Sequence, residues 1–400
     1  MTPKRIMIIA GETSGDMLAA DLVTALRARI MADYRYSDDL QPLQADLAPR
    51  FFGAGGPRMA TVGVELAVEM TSHAVTGLWE VVANYRKFKR IFDQLFQLAI
   101  DREPPAIICV DFSGFNRRFA TAIKRHARSR RGAFNNWNPK IIQYVSPQVW
   151  ASRPGRAFKM PGAYDLLLTI FPFEKDWYAS RVPKLKVEFV GNPIVDRHAG
   201  QPAVVRSSDT TTPLVLLLPG SRSGELRRHL PVLLPALRII RSKLPGLRAR
   251  MILPDPSLRE QATLMGLPSD LDVQVGGLHE SLAAADLAIA STGTVTMECA
   301  YFGVPTVALY KTSWPTYQVA KRLITVDHVA MPNILANEVL FPEFIQNEAT
   351  PENLARAALN LLQDGNRRNE IKLRLKDVIS SLGGTGATQR AAEVIMNLLR

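Results

Sequence analysis

Apolar residues along this chain fall into short, nearly unbroken runs separated by stretches where they recur every three or four positions. The runs read as strands buried on both faces and the stretches as amphipathic helices. Their alternation predicts parallel sheets covered on both sides. In the first half, strands are expected at Arg5 to Ile9, Arg50 to Gly53, Ala106 to Val110, Lys140 to Val145, Leu166 to Ile170 and Val187 to Val190. The second half repeats the pattern, with clear runs at Leu214 to Leu218, Leu287 to Ala290 and Thr306 to Tyr310. A stretch rich in Pro, Ser and Thr, from Ala199 to Pro213, reads as a linker. The expected organisation is α/β, with two Rossmann-like, doubly wound domains facing a cleft. They span 1–205 and 206–384, and a last helix near 385–400 returns to the first domain or to a partner.

Two strand ends share one chemistry. Ile6–Ile9 opens into Gly11-Glu12-Thr13-Ser14-Gly15-Asp16, and Leu214–Leu218 opens into Pro219-Gly220-Ser221-Arg222-Ser223-Gly224. A small-residue turn between a buried strand and a helix leaves backbone N–H groups pointing outward at the positive end of the helix dipole, which favours an anion. In the second turn Ser221 and Arg222 add a hydroxyl and a fixed charge, as a diphosphate requires. The plainer alternative is a solvated loop with Ser223 as helix cap. A further turn, Ser291-Thr292-Gly293-Thr294, precedes a helix carrying Glu298 one turn in. There a carboxylate can accept hydrogen bonds from both ribose hydroxyls, or simply complement the dipole. Two cradles in one half favour a nucleoside diphosphate, neutralised without a metal.

Asp111 ends the strand Ala106 to Val110 and faces the cleft, a position for a general base or equally for a helix-capping residue. Glu12 and Asp16 are rival bases, and Asp16 is expected to cap the helix it precedes.

Composition narrows the class. The 400 residues are 47% hydrophobic and 22% charged, enough for two cores. No apolar stretch reaches the ~18–20 residues of a membrane span, and the N-terminal residues lack the apolar region of a cleavable signal, so a cytoplasmic location is expected. Two cysteines imply no disulfide framework, and six scattered histidines show no zinc spacing. The net charge of +12 predicts acidic partners. Its clusters are Arg86, Lys87, Lys89 and Arg90, then Arg117, Arg118, Lys124, Arg125, Arg128, Arg130 and Arg131, and for most of these a solvated helix face is the first expectation. The first lies within Leu78 to Phe92, where Trp79, Val82, Tyr85 and Phe88 interleave with cations. That suits an anionic membrane surface or acyl chains, or else a core-facing helix with a basic outer face. The basic runs lack regularly placed aromatics for base stacking, which argues against nucleic acid as partner.

Taken together, the chain resembles the lipid-A-disaccharide synthase family of Gram-negative glycosyltransferases. The resemblance rests on the Gly11–Asp16 turn, Gly53-Ala54-Gly55-Gly56-Pro57-Arg58-Met59, Tyr144-Val145-Ser146-Pro147-Gln148-Val149-Trp150, Phe171-Pro172-Phe173-Glu174, Leu218-Pro219-Gly220-Ser221-Arg222, Gly293-Thr294 with Glu298-Cys299, and Pro332-Asn333-Ile334-Leu335-Ala336, in family order. It implies a GT-B fold and an inverting transfer with no cofactor. The donor would be UDP-2,3-diacylglucosamine, the acceptor 2,3-diacylglucosamine 1-phosphate (lipid X), and the products the β-1,6 lipid A disaccharide 1-phosphate and UDP. It also implies Asp111 as base, with Glu12 beside it. Ser221, Arg222, Gly293, Thr294, Glu298 and Asn333 would contact UDP. Ser14, Trp79, Val82, Tyr85 and Phe88 would face acceptor and lipid, on a peripheral enzyme of the inner membrane's cytoplasmic face and in some members a homodimer. Related readings are another UDP-sugar transferase or a UDP-sugar 2-epimerase. The chain departs from the family pattern at Gly114, Asn192 and Thr292.

Overall fold

In the computed structural model, which describes residues 5–35, 50–70, 85–200 and 212–400, the apolar runs form two all-parallel sheets. The chain divides into two units, Met1–Arg197 with Leu382–Arg400, and His198–Ser381.

Among its described residues the first unit holds seven strands: β1 (Arg5–Ala10), β2 (Arg50–Gly55), β3 (Glu65–Glu69), β4 (Ala106–Val110), β5 (Lys140–Tyr144), β6 (Leu166–Thr169) and β7 (Lys186–Phe189). Their order is β3-β2-β1-β4-β5-β6-β7. Side chains alternate across a strand, so one run serves two cores. Ile6, Ile8 and Ala10 enter one cluster and Met7 and Ile9 the other. The first cluster is completed from the far end of the chain. The helix Ala387–Leu399 packs on the helix Thr13–Arg35 and inserts Ala391, Ala392, Ile395 and Met396. The second cluster receives an aromatic stack from the helices Tyr85–Arg102 and Ser113–Arg130. There the rings of Phe92 and Phe119 lie 5.8 Å apart and those of Phe115 and Phe119 6.3 Å apart.

The second unit holds β8 (Leu214–Leu218), β9 (Arg248–Leu253), β10 (Asp272–Val275), β11 (Leu287–Ser291), β12 (Thr306–Tyr310) and β13 (Glu343–Ile345), in the order β10-β9-β8-β11-β12-β13. In each sheet the order reverses beside its first strand, between β1 and β4 and between β8 and β11. Doubly wound sheets bind ligands beyond the strand carboxyl ends at such a point.

Two sequence motifs prove to be one structural knot. Glu174 is fully buried, and its carboxylate accepts hydrogen bonds from Ser146 Oγ at 2.7 Å, Trp150 Nε1 at 2.9 Å and the Phe171 N–H at 3.1 Å. Burial pushes this carboxyl above its ordinary value, and the donors pull the other way. The Tyr178 hydroxyl donates to the Pro147 carbonyl at 2.6 Å. The Tyr144–Trp150 and Phe171–Glu174 segments therefore fasten each other.

Candidate active site

Each reversal carries one of the sequence-predicted turns. In the first unit Ala10 of β1 pairs with Val110 of β4, so the Gly11–Gly15 turn and Asp111 leave neighbouring strand ends. A Cβ built on Gly15 would lie 3.8 Å from the Asp111 Cβ, and one on Gly11 would strike the Phe112 ring at 2.3 Å. Gly11 is thus required by the residue that follows the candidate base. Glu12 is half-buried in the same turn, and Ser14 is exposed on it.

Asp111 and Phe112 both have left-handed backbones, with φ of 48° and 42°, and so does Val145 at 66°. For a β-branched residue that is a strained conformation. The turn is held by two buried amides. Asn116 Nδ2 and Gln143 Nε2 each donate to the Asp111 carbonyl at 2.8 Å, and Gln143 also donates to the Val145 carbonyl at 3.2 Å. The Asp111 N–H donates to the Tyr144 carbonyl at 2.9 Å. The ends of β4 and β5 and one helix thereby fix the half-buried Asp111. In the sequence Gln143 reads as an ordinary strand residue.

Asp16 corrects an expectation. Its buried carboxylate accepts from Gly56, Arg58 and Met59 N–H groups at 2.8–3.1 Å. It caps the short helix Pro57–Thr61 rather than the helix that contains it. Lys124 is a second correction. It is not on a solvated basic face but is buried, with Nζ 2.6 Å from Asp165 Oδ2 and 2.9 Å from the Pro139 carbonyl.

Of the acceptor-side residues, Trp79 and Val82 lie outside the described residues, as does the Tyr85 side chain. Phe88 is half-buried with its ring 6.4 Å from that of Phe112, and Arg86, Lys87, Lys89 and Arg90 around it are exposed.

In the second unit the loop after β8 leads into the helix Ser223–Lys243. Gly220 has a φ of 118°, and a Cβ there would lie 2.3 Å from Glu225 Oε2. The Ser221 N–H donates to that oxygen at 3.0 Å, and Arg222 Nη1 lies 3.6 Å from Glu225 Oε1. Glu225, three residues into the sequence after Arg222, thus organises the cradle; the spacing of a capping box was the signal for it. His229, also not anticipated, is fully buried. Nδ1 donates to the Pro219 carbonyl at 2.6 Å, and Nε2 accepts the Lys311 N–H at 3.1 Å, which ties the loop to the end of β12. Burial pushes its pKa below the ordinary value.

After β11, Gly293 caps the helix Thr294–Tyr301 with a φ of 146°, and Thr296 Oγ1 donates back to the Gly293 carbonyl at 2.7 Å. Thr294 and Gly293 are exposed and Glu298 is buried. His198 Nε2 lies 2.6 Å from Glu298 Oε2, and His279 Nε2 lies 3.9 Å from the same oxygen. These three side chains are a group able to hold a metal ion. Tetrahedral ligand atoms at 2.0–2.1 Å from zinc stand about 3.3 Å from one another. The 2.6 Å contact is therefore a hydrogen bond as it stands. Asn333 belongs to the helix Met331–Ala336, which packs against the Glu298 helix. Its amide donates to the Phe341 carbonyl and to Glu343 Oε1, and accepts from the Leu340 and Phe341 N–H groups, all within 3.0 Å. Both side-chain polar atoms of the buried Asn333 are thus engaged within the second unit.

The family model for lipid-A-disaccharide synthetase matches residues 6–396. A lipid-A-disaccharide synthase of Trichlorobacter lovleyi is 36% identical over 407 residues, covering 99% of this chain and 98% of that protein. One of Geobacter metallireducens is 35% identical over 408 residues, covering 99% and 97%. Among solved structures, the kitacinnamycin glycosyltransferase superposes with a TM-score of 0.63 at 17% identity, covering all of both chains. The MnaA–UDP co-structure of S. aureus gives a TM-score of 0.61 at 13% identity, covering 99% of this chain and 97% of that one. The structural likenesses establish the fold shared with such enzymes. The sequence matches, which run through both units, establish that the chain belongs to the lipid-A-disaccharide synthetase family.

Proposed function

We propose that the protein joins UDP-2,3-diacylglucosamine to 2,3-diacylglucosamine 1-phosphate, forming the β-1,6 disaccharide 1-phosphate and UDP. The observation that carries this reading is that both topological reversals bear the matching chemistry, a carboxylate held on a fastened turn in one unit and anion cradles in the other. Asp111 accepts the proton of the acceptor's 6-hydroxyl as that oxygen attacks the anomeric carbon of the donor. The attack comes opposite the leaving diphosphate, so the configuration inverts. Negative charge builds on UDP as the bond breaks. Ser221, Arg222 and the N-terminus of Ser223–Lys243 receive it, with the Gly293-Thr294 turn as the second cradle. Glu298 accepts the ribose hydroxyls. The exposed cations around Phe88 suit an anionic lipid surface, with the enzyme peripheral on the inner membrane's cytoplasmic face. Among the described residues no helix is long and apolar enough to cross a membrane.

The test is UDP release from the diacylated sugar nucleotide with and without acceptor, with the lipid product identified by mass spectrometry. Acceptor-dependent release with a tetra-acyl disaccharide phosphate supports the reading. UDP release that ignores the acceptor, or a C2-epimerised sugar nucleotide as product, overturns it.

A further inference from the structure

Glu298 has a close partner that no motif announces. His198, the last residue of the helix Pro193–His198 and the first of the second unit, is 2% exposed, and Glu298 is 5% exposed. An ionised carboxylate only accepts, so the 2.6 Å contact requires the proton on His198 Nε2. The other ring nitrogen, Nδ1, is buried and has no hydrogen-bond partner among the described residues. The contact selects the Nε2–H tautomer, which leaves no unpaired proton on Nδ1. The ring is also walled in. His279 stands 4.3 Å away edge-on, Tyr301 4.7 Å and Phe302 5.1 Å, centroid to centroid. His279 Nε2, at 3.9 Å from the same oxygen, is beyond hydrogen-bond reach.

We propose that His198 is a positioning residue for nucleotide recognition, holding the Glu298 carboxylate turned for the vicinal diol of a ribonucleotide and so making the site reject 2′-deoxyribose. This rests on the UDP reading of the second unit. A carboxylate has about four acceptor positions. The bond to His198 fixes how the Glu298 carboxylate is turned before ligand arrives. A diol matches two acceptors at fixed spacing, and a 2′-deoxyribose leaves one unmatched. Sites built to bond a hydroxyl discriminate strongly against analogues that lack it.

The experiment is calorimetric titration of the full-length protein with UDP and with 2′-deoxy-UDP, for the unaltered chain and for Glu298→Gln, His198→Phe and His198→Gln. The unaltered protein should prefer UDP by about tenfold or more, as expected for a hydrogen bond to a charged group. Glu298→Gln and His198→Phe should bring the two ligands within about threefold, and His198→Gln, which restores a donor, should recover most of the preference. A His198→Phe variant that keeps the full preference overturns the inference and leaves the UDP site standing. An unaltered protein that binds no UDP overturns the UDP reading and the inference with it. Nitrogen-15 spectra of the unaltered protein need no variant to fold. They should show His198 as the Nε2–H tautomer at neutral pH, with a shift on adding UDP; a proton on Nδ1, or no response to UDP, overturns the inference.

Discussion

Replacing Gln143 by Leu separates the support of the base from the support of the fold. Gln143 Nε2 donates to the Asp111 carbonyl at 2.8 Å and the Val145 carbonyl at 3.2 Å, and both of those residues are left-handed. Its Oε1 is buried without a partner among the described residues. The amide orientation follows from the network, since the flipped form would set oxygen against carbonyl oxygens. Leucine is close in size, so little cavity forms. Two hydrogen bonds at about 1 kcal/mol each are lost, and removal of an unsatisfied acceptor returns part of that. A net loss of about 1–2 kcal/mol follows, readable by urea unfolding. The catalytic effect should be larger in proportion. Left-handed residues cost about 1–3 kcal/mol each and persist only where surroundings impose them. With one of its two amides gone, the turn relaxes and the carboxylate moves; a displacement near 1 Å can cost about a hundredfold. The expected result is a kcat for UDP release down about tenfold to a hundredfold, with UDP affinity unchanged. A variant that loses stability but keeps kcat within about twofold would refute the reasoning, because the amide would then hold only the sheet.

Asp111→Asn should lower turnover by about 10²–10⁴-fold while calorimetry still finds UDP bound, because the base is removed and the cradle is not. Arg222→Ala should weaken UDP about tenfold or more by calorimetry. Glu174→Ala should cost at least about 3 kcal/mol in urea unfolding, since it strands buried donors on Ser146 and Trp150, whereas Glu174→Gln should cost much less. His229 is neutral in the fold and its pKa lies below the ordinary 6.5. Between those values the unfolded chain binds more protons, so this residue's contribution to stability is present above 6.5 and lost as pH falls through the window. The thermal midpoint of the unaltered protein should therefore fall more steeply below that pH than that of His229→Gln.

Much of the architecture was legible because parallel strands buried on both faces leave a signal that survives without tertiary information. Ile6–Ile9 and Leu214–Leu218 are such runs. Two of the four edge strands were not legible. Glu65–Glu69 has no fully buried residue and Glu343–Ile345 spans three residues, so neither shows a run. Short helices such as Pro172–Ala179 and Met331–Ala336 carry too few periodic positions to declare themselves. In the site, the strand-end turns could be read locally. The supports could not, because Gln143 acts on Asp111 thirty-two positions away and His198 on Glu298 a hundred away. Asp16 and Lys124 were placed by local rules, as cap and as surface charge, and distant backbone and Asp165 claimed them instead.

The closing helix Ala387–Leu399 has a consequence for biosynthesis. The sheet it covers is laid down from Arg5 onward, yet Ala391, Ala392, Ile395 and Met396 are made only after the whole of His198–Ser381. At about 5–20 residues per second, the 184 residues of His198–Ser381 take roughly 10–40 s to translate. Throughout that interval the earlier-made unit presents a bare apolar face. The first unit is thus completed only after the second has been made, and loss of the helix Ala387–Leu399 would expose the first-made core rather than the later one.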